Sequence, residues 1–199
     1  RRWPHVSVTP LNDPLTRAAR LRAARLELAR RRTAQARAVD SDVLAYLTDP
    51  VGFILRYLPA FDLAPYQADV MAAIGEGGKA TARGPRGLGK TAVSAAFVLW
   101  FVVTREAAGL DWKVVVTSGS HFQLRSYFWP EVHKWARLLD WEALGVRPWR
   151  LEKELQRTGI TLGNGMASSA SPDRAELIEG AHAQEVLVVF DESKAIPAS

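Results

Sequence analysis

The feature that most constrains the fold is the run GPRGLGKT at residues 84–91, which fits the pattern GxxxxGK followed by Ser or Thr. Residues 79–83 (KATAR) are predicted as the strand that enters this run. The apolar segment AVSAAFVLWFVV at 92–103 is predicted as the helix that follows it. Strand, glycine-rich loop and helix in this order are the context in which such a loop holds phosphate. We therefore expect a phosphate-binding loop at the start of a long helix.

The residue types of the loop predict how it would hold a nucleotide. Its glycines permit tight turns that aim backbone N–H groups at phosphate oxygens, and the helix N-terminus favours an anion. Lys90 is expected to reach the β- and γ-phosphates, and the hydroxyl of Thr91 to hold Mg²⁺. The predicted nucleotide-binding residues of the loop are Gly84, Pro85, Arg86, Gly87, Leu88, Gly89, Lys90 and Thr91.

A second motif, EVLVVFDES at 185–193, supports this interpretation over that of a chance glycine-rich turn. Its apolar residues read as a buried parallel strand, and the two acids that follow emerge at the carboxyl edge of the sheet, where phosphate loops also project. Asp191 is expected to support Mg²⁺ through water or through Thr91. Glu192 is expected to orient and deprotonate an attacking water. The alternative is a solvated pair of acids that only ends the strand.

Tyr66 and Gln67 form a candidate base-recognition pair. They lie in a helix predicted to start at Pro65 (PYQADVMAAI), 17 residues before Gly84. A Gln amide can pair with both the donor and the acceptor edge of adenine, and an aromatic neighbour can pack on the base. The pair is short, and its position relative to the loop is what favours the assignment.

Length and charge indicate one main domain with an N-terminal appendage. The chain has 199 residues, 48% of them hydrophobic, which is enough to bury a substantial core. The net charge of +5 is concentrated in residues 1–42, which carry ten Arg against four acids, whereas residues 43–199 carry sixteen Lys and Arg against seventeen acids. We therefore expect an Arg-rich helical arm (1–42), a helical lid segment with the adenine motif (43–78) and a P-loop ATPase core (79–199).

Residues 15–38 of the arm are mainly Arg, Ala and Leu, which are strong helix formers. The apolar stripe of this predicted helix is thin, and arginines surround it. Three interpretations remain open: a solvated helix, a partner-docking arm, or a contact with DNA phosphates.

Several classes of protein are disfavoured. The chain has no cysteine, which excludes a disulfide framework and thiolate metal sites, and its four His show no ligand spacing. The longest apolar run has 12 residues, short of the roughly 20 that a membrane span needs. No secretory leader is visible, so a cytoplasmic protein with no membrane partner is expected. The start without Met is compatible with a piece of a longer protein.

Other segments are predicted around this core. Short helices are expected at 40–48 and 51–58, each stopped by a proline, and a helical region at 123–139 with a kink or restart at Pro130. Further strands are predicted at 112–117, 149–155, 158–162 and 166–170. Trp129, Trp135 and Trp141 are expected to pack internally rather than stack on single-stranded DNA, because no basic groove is interleaved with them.

Together these motifs resemble the ATPase domain of the large terminase subunit of tailed bacteriophages, the motor that packages DNA into procapsids. The resemblance covers roughly residues 45–199 by motif order. The matching segments are Tyr66-Gln67, residues 84–91, VVVTSGS at 114–120 and SPDRAELIEGAHAQEVLVVFDESKAIP at 171–197, which has DES where the family usually has DEA. It implies an α/β fold of the P-loop NTPase (RecA/ASCE-like) type, with a mainly parallel sheet flanked by helices and an N-terminal helical subdomain.

The resemblance also implies an activity and partners. ATP hydrolysis with Mg²⁺ would drive double-stranded DNA into a procapsid, with the portal protein and the small terminase subunit as partners, in a homo-oligomeric ring in the cytoplasm of a bacterial host. Arg86 matches an arginine that senses the γ-phosphate, and Arg83 and Arg174 are further candidates for the arginine that completes a neighbour's site. The family's coupling motif and nuclease domain would lie beyond Ser199.

Two other functions remain open. A helicase-type ATPase shares the glutamine motif, the phosphate loop and the acid pair, and differs in a second RecA-like domain downstream. A nucleotide-binding switch or assembly protein would bind ATP and turn it over slowly. In a further possibility, only the Arg-rich helix matters, as a docking peptide.

Overall fold

A computed structural model describes residues 41–75, 77, 79–81, 85, 87–170 and 183–191. Within them, a mixed five-stranded sheet is flanked by helices, which makes the protein an α/β protein. The helices are a 3₁₀ helix Ser41–Tyr46, α1 Pro50–Tyr57, α2 Pro65–Gly75, α3 Lys90–Ala107 and α4 Trp129–Leu138. A short turn His121–Gln123 and a π-helical turn Leu124–Phe128 lead into α4. The strands are β1 Trp112–Ser118, β2 Leu155–Gln156, β3 Gly159–Thr161, β4 Gly165–Ala170 and β5 Glu185–Asp191.

The central helix is α3, which follows the glycine-rich loop as predicted. Its residues 95–105 are all buried, and a helix that is apolar on every side has to be enclosed by other elements. The indole N–H of Trp100 donates to the carbonyl of Tyr46 at 2.6 Å. The guanidinium of Arg105 lies over the ring of Trp100, 4.4 Å from its centroid, and donates to the carbonyl of Leu47. These bonds hold the N-terminal helical segment against α3.

Both short helices of this N-terminal segment are present, but Pro50 begins a helix rather than ending one. Proline at the first turn of α1 lacks only an N–H that would have no partner there. Asp49 caps the helix, since its carboxylate accepts a 2.8 Å hydrogen bond from the backbone N–H of Gly52. The predicted helix from Pro65 is confirmed as α2.

The sheet has the order β2-β3-β4-β1-β5. Strand β1 pairs in parallel with β4 and β5, whereas β2, β3 and β4 pair antiparallel. The sheet is therefore mixed rather than mainly parallel. Its parallel part contains the two strands that lead to the predicted site, and its antiparallel part is a small meander formed by tight turns, which need no crossover helix.

Two predicted strands are wrong in whole or in part. Residues 79–81 form no strand, and residues 82 and 83 lie outside the described part of the chain. The reason is that this Lys, Ala and Thr segment is exposed and two of its three residues have low strand propensity. The predicted strand 149–155 is largely absent. Residues 152–154 form a turn in which Glu152 adopts the left-handed conformation (φ 65°), and Leu155, the first residue of β2, forms a bridge with Leu151.

The core lies between one face of the sheet and the helices. Trp112, Val114 and Val116 of β1 point into it with Ala167 of β4. Trp129 and Trp135 are buried and Trp141 is partly buried against the same cluster, which confirms their predicted packing role. The carboxylate of Glu106 at the end of α3 accepts hydrogen bonds from the Trp112 indole and from the backbone N–H groups of residues 163 and 164. This carboxylate fixes α3 to the start of β1 and to the β3–β4 turn.

Candidate functional site

The described loop residues lead directly into α3, as the sequence predicts. Gly87 and Gly89 have φ of 89° and 69°, in the left-handed region that favours glycine. Gly89 is the N-cap of α3, and no side chain caps the helix there. A Cβ at Gly89 would lie 3.1 Å from the amide nitrogen of Gln67, so the neighbouring helix also restricts this position to a small residue. The first turn of α3 therefore offers N–H groups and a positive dipole end to an anion.

Lys90 folds back over the loop. Its ammonium group donates a 2.7 Å hydrogen bond to the carbonyl of Pro85. The charge is thus held against the loop by the first residue of α3. An ammonium group is a compact point charge with three donors, so Lys90 can keep one bond to the loop while it contacts phosphate.

The two motifs meet at Thr91 and Asp191. The hydroxyl of Thr91 lies 3.5 Å from each carboxylate oxygen of Asp191, although 100 residues separate them in the chain. Thr91 is in the first turn of α3, and Asp191 is the last residue of β5. A hydroxyl and a carboxylate are the hard oxygen ligands that Mg²⁺ prefers, and adjacent ligands at ~2.1 Å from the ion lie roughly 3 Å apart. The donor set and spacing therefore fit the predicted magnesium site.

Tyr66 and Gln67 contact the loop. The Tyr66 hydroxyl donates to the carbonyl of Leu88 at 2.6 Å, and the Gln67 amide nitrogen donates to the same carbonyl at 3.3 Å. The Gln67 amide oxygen accepts a 3.0 Å bond from the backbone N–H of Ala64. Gln67 is only 7% exposed, whereas Tyr66 is 47% exposed. The predicted base-recognition pair thus lies beside the loop, with the aromatic ring open to a ligand and the amide engaged by the protein.

The sequence SGSH at 118–121 indicates a polar exit turn after β1, and the structure shows that this turn borders the acid motif. Ser118 is paired in register with Asp191, and its buried hydroxyl donates to the carbonyl of Ser120 at 2.9 Å. Ser120 in turn caps the following helical turn by accepting from the backbone N–H of Gln123. The SGS sequence is a turn signal, but only the strand register shows that this turn borders the acid motif. The serines keep the chain next to Asp191 in a fixed conformation.

Five predicted site residues lie outside the described part of the chain: Arg83, Gly84, Arg86, Arg174 and Glu192. Their assignments stay predictions. The structure brings together the others, namely Tyr66, Gln67, Pro85, Gly87, Leu88, Gly89, Lys90, Thr91 and Asp191.

The described residues contain no cluster of three or more His, Cys, Asp or Glu side chains suited to a metal. A cation at Thr91 and Asp191 would therefore take its remaining ligands from water and from a bound phosphate group, as Mg²⁺ commonly does. In addition, none of the described helices has the length and apolar character needed to cross a bilayer.

Comparisons with protein-family models, curated proteins and solved structures return no match to this chain.

Proposed function

We propose that the chain binds Mg²⁺ and ATP at this site and hydrolyses ATP to ADP and phosphate. The observation that best supports this proposal is the proximity of Thr91 and Asp191. A glycine-rich loop and a strand ending in acids each occur widely by themselves. Their meeting, with a hydroxyl facing a carboxylate at the start of a helix, is the arrangement that magnesium-dependent phosphoryl transfer uses.

Each residue then has a defined task. The backbone N–H groups around Gly89 and the ammonium group of Lys90 would bind the phosphates, and Thr91 and Asp191 would hold Mg²⁺. Bound there, the ion would neutralise charge that develops on the phosphate oxygens. Glu192, the residue after Asp191, would orient the attacking water and accept its proton. Arg86, Arg83 and Arg174 are the candidates for an arginine that stabilises the transition state, in its own subunit or a neighbour's.

The aromatic ring of Tyr66 would pack on the base. Its ring is half exposed beside the loop, while its hydroxyl is held by Leu88. Gln67 would need to exchange its bond to Leu88 for one to adenine, because its amide nitrogen already donates there. Binding of the base would therefore remove a hydrogen bond from the loop that holds the phosphates.

The order of the motifs along the chain is the basis for a proposed cellular role. We propose that the activity powers the translocation of double-stranded DNA into a procapsid, as in large terminase subunits of tailed bacteriophages, with an overall fold of the P-loop NTPase type. Such a motor would assemble as a ring on the portal protein, with the small terminase subunit, in the cytoplasm of a bacterial host.

The nucleotide part of the proposal is tested by titrating the chain with a fluorescent ATP analogue, with and without Mg²⁺. Lys90→Ala is expected to abolish tight binding, because it removes the ammonium charge that lies over the loop. Thr91→Val keeps the shape of the side chain but removes the hydroxyl, and it should remove the dependence on Mg²⁺. Thr161→Val, at an exposed position on β3, is the matched control and should bind like the wild type.

Unchanged affinity in a folded Lys90→Ala protein would exclude the phosphate-loop assignment.

Steady-state turnover, measured with and without DNA and procapsids, then separates the possible roles. Stimulation by procapsids supports the packaging motor. Stimulation by DNA alone favours a helicase-type ATPase, and tight binding with slow turnover in every condition favours a nucleotide switch.

A further inference from the structure

Two aromatic side chains near the site are exposed to an unusual degree. Phe122 is 68% exposed and Tyr127 is 63% exposed. Their ring centroids lie 6.2 Å apart at an interplanar angle of 82°, an edge-to-face contact. Large apolar side chains are normally buried, and an exposed pair of rings in mutual contact is the kind of surface feature that marks a binding site.

A π-helical turn creates this pair. Phe122 and Tyr127 are five residues apart, and on an α-helix two such residues point about 140° away from each other. The turn Leu124–Phe128 instead closes with a bond from the backbone N–H of Trp129 to the carbonyl of Leu124. This wider turn brings positions five apart towards the same side. Such turns occur in few helices and are frequent at functional sites.

A cationic side chain lies beside the pair in sequence. Arg125 is placed between the two ring-bearing residues and is exposed. No acidic residue occurs between Asp111 and Glu131. Within the described part of the chain, Arg125 forms no ion pair. Its guanidinium is therefore available to an anionic partner.

The turn that carries the aromatic pair also follows the carboxyl end of β1, next to Asp191. The helical turn that carries Phe122 begins three residues after Ser118, the end of β1, and Ser118 is in register with Asp191. The buried hydroxyl of Ser118 contacts Ser120, which caps this same turn. A ligand on the two rings would thus be connected through a short, well-bonded turn to the residue proposed to hold Mg²⁺.

We propose that Phe122, Tyr127 and Arg125 form a contact surface for single-stranded or locally unstacked nucleic acid. Bases would stack on the two rings, and the guanidinium would bind a backbone phosphate. Exposed rings combined with cationic groups are the means by which proteins hold single strands without sequence preference. A duplex hides the faces of its bases, so the rings favour an unpaired strand. This proposal rests on the proposed function in one respect, namely that DNA is the molecule which the ATPase would translocate.

The surface is tested with a fluorescent poly-dT oligonucleotide and a duplex of equal length, both without nucleotide. Replacing both Phe122 and Tyr127 by Ala is expected to weaken oligonucleotide binding by roughly tenfold or more, because the bases can no longer stack on either ring. Phe122→Tyr together with Tyr127→Phe keeps both rings and should bind like the wild type. Leu55→Ala removes a side chain of matched exposure, 64%, from α1 and is the control for removal of exposed apolar surface.

Arg125→Gln should reduce the salt dependence of oligonucleotide binding by about 0.7 in log–log slope, the value for one phosphate contact on a single strand. Arg137→Gln, at an exposed position on α4, should leave the slope unchanged. Melting curves of all variants show whether they are folded.

Equal oligonucleotide affinity in the folded double Ala variant would overturn the proposal and leave the rings to a protein partner. Ring-dependent binding that is tighter for the duplex than for the oligonucleotide would overturn the preference for unpaired strands. Neither result bears on the phosphate loop, because ATP-analogue binding is measured separately and without DNA.

Discussion

The hydroxyl of Tyr66 donates a 2.6 Å hydrogen bond to the carbonyl of Leu88, at the turn of the glycine-rich loop. The two residues are 22 apart in sequence, and the bond fixes the start of α2 to the loop. Gln67 donates to the same carbonyl and lies close to Gly89. The conformation of the loop therefore depends on the helix that carries the predicted base-recognition pair.

Removing this hydroxyl is expected to weaken nucleotide binding. Tyr66→Phe keeps the ring for the base but deletes the bond to Leu88, which is worth about 0.5–1.5 kcal/mol. A loop that is less ordered before binding must be ordered by the ligand, so the dissociation constant of the ATP analogue should rise roughly two- to tenfold. Tyr127→Phe removes a hydroxyl from an exposed ring outside the loop and should have no effect. Tighter binding by Tyr66→Phe would mean instead that ATP has to break the bond.

A second prediction concerns Glu154, which holds the turn before β2. Partial burial alone would raise its pKa, but hydrogen bonds from Arg147 and from the backbone and side chain of Arg150 lower the pKa of Glu154 to about 2, from a usual 4.5. The ionised form is thus favoured by folding. Its contribution to stability is complete above about pH 4.5 and is lost as the pH falls towards 2.

Glu154→Gln should therefore lower the free energy of unfolding at pH 7 by about 1 kcal/mol, a modest value because both arginines are partly solvated. In thermal melts this corresponds to a shift of roughly 2–4 °C. The difference from the wild type should shrink between pH 4.5 and the lowest accessible pH. Glu152→Gln, an exposed acid two residues earlier, is the control. An effect of Glu154→Gln that is constant with pH would contradict the charged interaction.

The sequence predicted the parts of the fold that long patterns encode. The described part of the glycine-rich loop with its helix, the strand that ends at Asp191 and the helix from Pro65 are all present. These predictions succeeded because extended apolar runs and capping residues determine local structure strongly. The meeting of Thr91 and Asp191 was also anticipated, from the expectation that a phosphate loop projects from the edge of the sheet at which the acid strand ends. The prediction that this strand is buried was wrong, because β5 is the last strand of the described sheet, with Val186 and Phe190 exposed.

Features that depend on tertiary contacts were not predictable. The residues 79–81 have a suitable position for a strand, but strands require pairing partners, and none of the described strands pairs with them. The antiparallel meander arises from the short connections at residues 157–158 and 162–164. The turn that precedes it contains Glu152, whose left-handed backbone is unusual for this residue type. The contact between Phe122 and Tyr127 depends on a π-helical turn, which a pattern of period 3.6 does not reveal.

A third prediction concerns the Arg-rich segment, which lies outside the described residues. If its arginines bind duplex DNA, deletion of residues 1–38 should weaken binding and flatten its salt dependence by about 0.9 in log–log slope for each arginine–phosphate pair that the deletion removes. Replacing Arg30, Arg31 and Arg32 by Lys should keep most of the slope, whereas replacing them by Gln should reduce it. Equal affinity and equal slope after the deletion would leave a docking or solvated role for the segment.

The last prediction separates an active ATPase from a passive nucleotide binder, and it compares the two adjacent acids. Glu192→Gln keeps the size and hydrogen-bonding ability of the side chain but removes the base that would accept a proton from water. ATP binding should survive, and turnover should fall by roughly 10² to 10⁴. Asp191→Asn should weaken Mg-ATP binding as well, because Asp191 faces Thr91 across the predicted ion site.

Both variants are measured with the protein alone and with DNA and procapsids added, because in the proposed ring an arginine from a neighbouring subunit would contribute ~10³ or more to the rate. Binding is followed by titration with the ATP analogue, and turnover by release of phosphate. Glu152→Gln, an exposed acid before β2, is the control for a change of charge outside the site. Wild-type turnover in Glu192→Gln would show that this acid is not the base, and the pair would then serve only to end the strand.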